Sequence, residues 1–332
     1  MQEPSLFTTE PHASIGLDLG GTTFTVGWLD VSGRLHDLAT FDTRSHRPRD
    51  EIVADLAHAI RATAQNVSGT GITVSSAGIG FPGVIDPWKG TVLLPPNFGD
   101  GWNGFALAHA ISEMTGLQTY LVNDARAFTF AEARVGAGAG SKHLLGITLG
   151  TGVGGGLVLD GQLYLGSRGT AGEFGHQIVQ PHGLDCGCGG RGCIETIASG
   201  PALVSSAVRP FLQGRAPILR EITAGKLEAI TPKTVCDAAR EGDLDCQDII
   251  DRAALALAHG ITNIAVTLGV EVVVIGGGVA LAGDVLFDPI RTHLSRLCKM
   301  IEHHPEIRPA RLEEPGVVGA AVWAREQGGV KA

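Results

Sequence analysis

Residues 173–195 bring together side chains that bind metal. Glu173-Phe174-Gly175-His176 is followed by Cys186-x-Cys188 and then by Cys193-Ile194-Glu195. Three cysteines fall within eight residues, spaced by Gly187, Gly189, Gly190, Arg191 and Gly192. Small residues let a tight loop wrap a tetrahedral ion, and three thiolates with one imidazole suit Zn2+. Four protein ligands (His176, Cys186, Cys188 and Cys193) close the coordination shell, so the expected zinc is structural. The competing readings are a C-x-C redox pair or unligated thiols, although redox pairs usually read C-x-x-C. Glu173 and Glu195 flank the loop. Carboxylates on a rigid loop can accept hydrogen bonds from several hydroxyls of one ligand; ordinary solvated glutamate is the alternative. Cys236, Cys246 and Cys298 stand in partly apolar helical contexts and read as packing residues.

Two glycine-rich turns suit an anion. In Asp18-Leu19-Gly20-Gly21-Thr22-Thr23 a carboxylate ends an apolar strand, which is costly unless the charge is paired or metal-linked. Gly20 and Gly21 allow a sharp turn that presents N–H groups, and Thr22 and Thr23 add hydroxyls. A plain hairpin with Asp18 satisfied locally is the rival. Gly150-Thr151-Gly152-Val153-Gly154-Gly155-Gly156 matches G-x-G-x-x-G, but a dinucleotide fold needs a helix to follow. Here a strand and a turn follow, so the expectation is a phosphate-cradling hairpin. Asn123-Asp124 sits after an apolar strand and before a helix, where Asp124 could act as a general base or cap the helix. Gly276-Gly277-Gly278 ends another apolar strand and could admit the base and ribose of a nucleotide, or form a simple turn.

The elements that carry these motifs follow from periodicity. Residues 14–19, 23–30 and 34–42 read as three strands joined by turns, and 50–65 as a helix. Residues 73–86 read as a strand running into a Pro/Gly loop; 105–115 and 125–135 read as helices around a short strand at 118–122. Residues 144–166 repeat the opening hairpin. A shift of 130 aligns Leu19 with Leu149, Gly20 with Gly150, Leu29 with Leu159 and Asp30 with Asp160, which points to an internal duplication. Residues 210–233 read as an irregular surface insertion. Residues 246–268 and the C-terminal GVVGAAVWAREQ read as helices, the latter with small residues suited to close packing.

Composition sets the outer bounds. A chain of 332 residues favours two domains. A formal net charge of −9 argues against non-specific nucleic-acid binding. Apolar runs look too short or too interrupted for a membrane span, and the N-terminus lacks signal-peptide blocks. A cytoplasmic location is expected, where six cysteines serve as ligands or free thiols before disulfides.

Together these motifs resemble the ROK family (repressors, open reading frames and sugar kinases) of the actin/hexokinase-like ATPase superfamily. The resemblance runs from about Ser14 to Gln327 and looks closest to bacterial ROK glucokinases. The pattern E-x-G-H followed by C-x-C-G-x-x-G-C-x-E is its diagnostic part. The fold implied is α/β: a duplicated actin/hexokinase-like (ribonuclease H-like) fold of two domains with an active-site cleft between them. The expected domains are 1–121 joined by a C-terminal helix at about 314–330, and 122–313 with the zinc loop 176–193.

The resemblance also implies roles. Asp18, Gly20, Gly21 and Thr22 match the first phosphate motif, with Asp18 near Mg2+. Thr151 and Gly152 match the second, and Gly276, Gly277 and Gly278 the adenosine motif. Asp124 is the implied base for a sugar 6-hydroxyl. Asn97, Asn123, Asp124, Glu173, His176 and Glu195 are the implied sugar ligands, with His176 holding zinc through its other ring nitrogen. ATP, Mg2+ and structural Zn2+ are the implied cofactors, a hexose such as D-glucose the substrate, and a homodimer or homotetramer the assembly. Position 126 departs from the pattern: it is Arg where the family often has Asn or a small residue. Leu94-Pro95-Pro96-Asn97 and residues 210–233 depart too. The rivals are another sugar (mannose, fructose, N-acetylglucosamine or N-acetylmannosamine), polyphosphate as donor, or a non-catalytic sensor or regulator. Only seventeen residues precede Asp18, which leaves no room for a winged helix, and intact Asp18 and Asp124 speak against a dead sensor.

Overall fold

Strand β1 (His12–Leu19) is buried along nearly its whole length, as a strand with neighbours on both sides must be. The computed structural model describes residues 12–96, 98–297, 299 and 304–329. β1 runs antiparallel to β2 (Thr23–Leu29), which runs antiparallel to β3 (Leu35–Asp42). After helix α1 (Arg49–Ser68), β4 (Thr73–Phe81) returns parallel to β1. A small hairpin follows, β5 (Val84–Asp86) with β6 (Thr91–Leu94), where the sequence reading had only a loop. Helix α2 (Leu107–Thr115) then leads to β7 (Thr119–Asn123), parallel to β4, and to α3 (Asp124–Arg134). The sheet order is β3-β2-β1-β4-β7.

The second sheet repeats the first. β8 (Leu144–Leu149) and β9 (Val153–Leu159) are antiparallel, and β10 (Gln162–Leu163) pairs with β9. Helices α4 (Glu195–Ala198), α5 (Gly200–Leu212), α6 (Pro217–Ile222), α7 (Pro232–Arg240) and α8 (Leu244–Leu268) follow. Then β11 (Val272–Gly276), α9 (Asp284–Leu297) and β12 (Glu306–Pro309) complete the order β10-β9-β8-β11-β12. Antiparallel and parallel pairs fall in the same places in both sheets. The 130-residue shift holds through the first strand and then slips by one. Leu19 pairs with Phe24, whereas Leu149 pairs with Val153, because the second turn is one residue shorter. Leu29 therefore corresponds to Val158 rather than to Leu159.

Two expectations change. Residues 210–233 are not a surface insertion: they hold the end of α5, all of α6 and the start of α7, and they bury Phe211, Ala216 and Leu219 in the core. Pro217 and Pro232 open helices at the position that tolerates a missing N–H, so they start elements instead of breaking them. Helix α8, 25 residues long, is apolar enough to cross a membrane by length and composition alone. More than half of its most apolar 18-residue stretch is buried in the protein, and Ile249, Leu257 and Ile261 lie in the core, so its apolar face belongs there.

By contacts the chain forms two units: Met1–Gly136 with Leu165–Ala171 and Leu312–Ala332, and Ala137–Tyr164 with Gly172–Arg311. Helix α3 thus belongs to the first unit, not to the second as the expected boundary at 121 had it. The reason is the C-terminal helix (Pro315–Gln327), which lies against β1, β4 and α3. Contact there is backbone on backbone. A Cβ at Gly16 would stand 2.0 Å from the Val317 carbonyl oxygen, and one at Gly78 1.9 Å from that of Ala320. Gly78→Ala is therefore expected to cost roughly 3 kcal/mol or more, or to prevent folding. Thermal and urea denaturation check this; unchanged stability would contradict the close approach.

Candidate active site

In the first unit, β1 ends at Leu19, one residue after Asp18, and the chain turns through Gly20 and Gly21, with Gly20 N donating to Thr23 O at 2.9 Å. Thr22 is exposed. The turn is braced from behind. Thr43 N donates to Thr22 O at 2.7 Å, and Ser45 N donates to Gly21 O at 3.1 Å. Ser45 O in turn accepts from Gly99 N at 3.2 Å, so the turn and the 98–101 loop share one support. Asn97 lies outside the described residues. Just beyond it, Phe98 stacks on Phe81 at 5.2 Å and meets Trp102 edge-on at 5.2 Å, which anchors the loop.

Asp18 has no local partner of the kind the plain-hairpin reading requires: among the described residues none donates a hydrogen bond to its carboxylate. The carboxylate is packed beneath the first turn of the C-terminal helix, where a Cβ at Gly316 would come within 2.2 Å of Oδ2. Burial first, then the negative charges of Asp124 and Glu314, push its pKa up to about 7. Burial also raises Glu314, helped by Glu313. Like charges gathered without a counter-charge favour either protonation or a cation. The residues here therefore fit a hard divalent ion such as Mg2+, with Asp18 as the side chain placed to hold it. Glu314 escaped the sequence reading; the acidic pair before Pro315 was the available signal.

At the end of β7 the side chains show which residue caps α3. Asn123, not Asp124, caps α3: its Oδ1 accepts from Arg126 N at 3.2 Å. Its Nδ2 donates to Gly83 O at 3.1 Å and to Asp124 Oδ1 at 2.8 Å. Ala125 N donates to the same Oδ1 at 2.8 Å. Asn123 is buried while Asp124 is exposed, so a fixed carboxylate is presented at a strand end.

In the second unit, Gly150 N donates to Gly152 O at 2.9 Å, closing the shorter turn with Thr151 exposed at its tip. Gly277 packs on the end of β8; a Cβ there would lie 2.4 Å from Leu149 O, so the third glycine motif adjoins the second turn. Glu195 has a role that the sequence did not reveal. Its Oε2 accepts from Val153 N at 3.0 Å, tying the cysteine loop to the turn. Glu173 is exposed at the start of a short 3-10 turn, Phe174–His176.

The four metal-binding side chains meet. The ligand atoms of His176, Cys186, Cys188 and Cys193 lie within 4.8 Å of one another. Cys188 Sγ and Cys193 Sγ are 3.7 Å apart. That is far beyond a disulfide but close to the ~3.8 Å edge of a tetrahedron with ~2.3 Å zinc–sulfur bonds. His176 Nδ1 faces Cys186 Sγ at 3.7 Å, which assigns Nδ1 to the metal side and Nε2 to the other. Burial pushes the Cys193 thiol up to about 12, a cost that coordination removes because a metal-bound thiol is deprotonated. The donor set and spacing fit structural zinc. Cys236 and Cys246 are buried free thiols in the core; Cys298 lies outside the described residues.

A duplicated sheet with a glycine turn at the head of each half defines an actin-like, hexokinase-type ATPase fold. Residues 14–327 match the model of the ROK family, and the chain belongs to that family. It is 35% identical over 315 residues to a glucokinase of Thermotoga maritima, covering 94% of this chain and 97% of that one. An N-acetylmannosamine kinase of Yersinia pestis is 32% identical over 314 residues, covering 94% and 98%. Among solved structures, a ROK family glucokinase from Streptomyces griseus in complex with glucose and AMPPNP is similar. It gives a TM-score of 0.78 and 34% identity, covering 95% of this chain and 99% of that one.

Two outcomes follow from this geometry. Metal analysis is expected to find about one zinc per chain, and Cys193→Ser to lose it together with stability of the second unit; a stable, fully active zinc-free protein would contradict the structural role. The second concerns Asp18. Its folded pKa, about 7, lies above the ordinary carboxyl value of 3.8, so ionisation opposes folding. The penalty is absent below the unfolded pKa, grows as pH rises towards 7, and is complete above it. Asp18→Asn is thus expected to raise the melting temperature at pH 8 but hardly at pH 4, while weakening Mg·ATP binding. A melting temperature that falls at pH 8 would refute the unpaired-charge account.

Proposed function

We propose that this protein is an ATP-dependent hexose kinase that transfers a phosphoryl group to the 6-hydroxyl of D-glucose. The observation that carries this reading is the Asn123–Asp124 arrangement. A residue that was free to be a mere helix cap is relieved of that task by its neighbour. Two donors on Oδ1 then hold its carboxylate at the strand end, where ligands of α/β folds gather. The similarity to glucokinases supports the substrate.

Asp124 accepts the proton of the 6-hydroxyl as that oxygen attacks the γ-phosphorus of ATP, and ADP leaves. Phosphoryl transfer asks for little covalent help, so positioning and charge neutralisation carry the catalysis. Asn97, Asn123, Glu173, His176 and Glu195 orient the sugar. With Nδ1 directed to the cysteine cluster, the His176 ring is fixed and Nε2 is offered to a sugar hydroxyl. Gly20, Gly21 and Thr22 cradle phosphate from one turn, Thr151 and Gly152 from the other, and Gly276–Gly278 admit the adenosine. Mg2+, when bound with ATP near Asp18, neutralises phosphate charge.

N-Acetylmannosamine is the second candidate sugar, because the Yersinia relative is nearly as similar. Coupled ADP release, measured over glucose, mannose, fructose, N-acetylglucosamine and N-acetylmannosamine, decides between them. Glucose is expected to give the highest kcat/KM, with ATP preferred over polyphosphate. Asp124→Asn is expected to lower kcat by roughly 100-fold or more, with folding and zinc content retained. Failure of every sugar to stimulate ADP release, or full activity in the variant, would overturn the assignment.

A further inference from the structure

Arg126 breaks two local rules. It stands at the third position of α3, where the positive end of the helix dipole disfavours a cation. It is also only 2% exposed, and a buried guanidinium is costly unless its donors are used. Residues that break local rules need a compensating purpose. Arg126 is bonded through both its backbone and its side chain. Its N–H donates to Asn123 Oδ1, the cap that also holds Asp124, and its Nε donates to Ala171 O at 2.9 Å.

Ala171 is the last residue of the 165–171 segment, a short excursion of the chain into the first unit. The excursion is a closed loop: Ala171 N donates to Leu165 O at 3.1 Å. Its middle is pressed onto the β5–β6 hairpin, where a Cβ at Gly169 would lie 2.5 Å from Pro87 Cδ. Both backbone polar groups of Ala171 are therefore engaged, one by its own loop and one by Arg126. Two residues further along the chain comes Glu173.

We propose that Arg126 is a positioning residue for the sugar. By clamping the Ala171 carbonyl to the first turn of α3, its side chain fixes the exit of the 165–171 loop, from which the chain runs on to Glu173 two residues later. One residue thus bonds both the Asn123 cap, through its backbone N–H, and the loop exit, through its side chain. The inference rests on the hexose-kinase reading for its effect on catalysis, but the clamp itself is a property of the first unit.

The test compares Arg126→Ala, Arg126→Gln and Arg126→Lys with the wild type. Sugar KM, ATP KM, kcat and zinc content are measured, together with hydrogen exchange of the peptide spanning 165–173. Loss of the clamp is expected to raise sugar KM about tenfold in the Ala and Gln variants, with ATP KM within about twofold and zinc unchanged. Lys, which keeps the charge but loses the planar fork, is expected to fall in between. Exchange at Ala171 is expected to quicken in step with sugar KM. Wild-type sugar KM in both neutral variants, or unchanged exchange at 165–173, overturns the proposal. A lowered kcat with unchanged sugar KM also overturns it, since that places Arg126 in the chemistry. If Arg126→Ala fails to fold, Gln and Lys decide. If the wild type phosphorylates no sugar, the kinase reading fails, and the exchange data alone judge the clamp.

Discussion

A carboxylate that has no counter-charge among the described residues lies at the head of the first sheet, and much of the architecture depends on how it is held. Asp18 is the next-to-last residue of the strand on which the C-terminal helix rests. The helix approaches so closely that Gly16, Gly78 and Gly316 cannot carry side chains. This packing sinks Asp18 under the helix terminus and beside Asp124 and Glu314, which together hold its proton near neutral pH. Left to itself, the unit is less stable with Asp18 ionised. A divalent cation bound there with phosphate ligands would reverse that balance, and the proposed metal-nucleotide substrate would gain affinity from it.

The second unit meets a different need by a different route. Sugar hydroxyls are recognised by direction, and an imidazole on a loop has little directional rigidity of its own. On the proposed function, the thiolate cluster would supply it. Cys188 and Cys193 stand at tetrahedral spacing, and His176 turns Nδ1 towards them. Glu195 then links this loop to the second glycine turn through Val153 N. A zinc ion held by His176, Cys186, Cys188 and Cys193 would take no part in the proposed transfer; it would set the orientation of the groups around it.

Much of this was legible in the sequence because it depends on short, local patterns. Glycine clusters after apolar runs marked both turns, and the cysteine spacing marked the metal loop. What was not legible depends on length or on distant partners. The second hairpin is shorter by one residue, which strand periodicity does not register until the pairs are seen. Pro217 and Pro232 look like breakers in isolation, and only their place at helix starts shows otherwise. Asn123 and Asp124 are equally good caps by residue type, and a side-chain hydrogen bond decides between them. Arg126 was visible as a departure, but its partner lies 45 residues away. The expected boundary at 121 failed for a related reason: α3 is bound by the C-terminal helix, which lies far off in the chain.

The proposed reaction moves a phosphoryl group to one particular oxygen of a hexose. Phosphorus NMR of a reaction with ATP, Mg2+ and D-glucose tests it most directly. The account predicts a new phosphate monoester whose phosphorus couples to the two protons on C6, growing as ATP is converted to ADP. An ester at another carbon, or inorganic phosphate as the sole new signal, would contradict it.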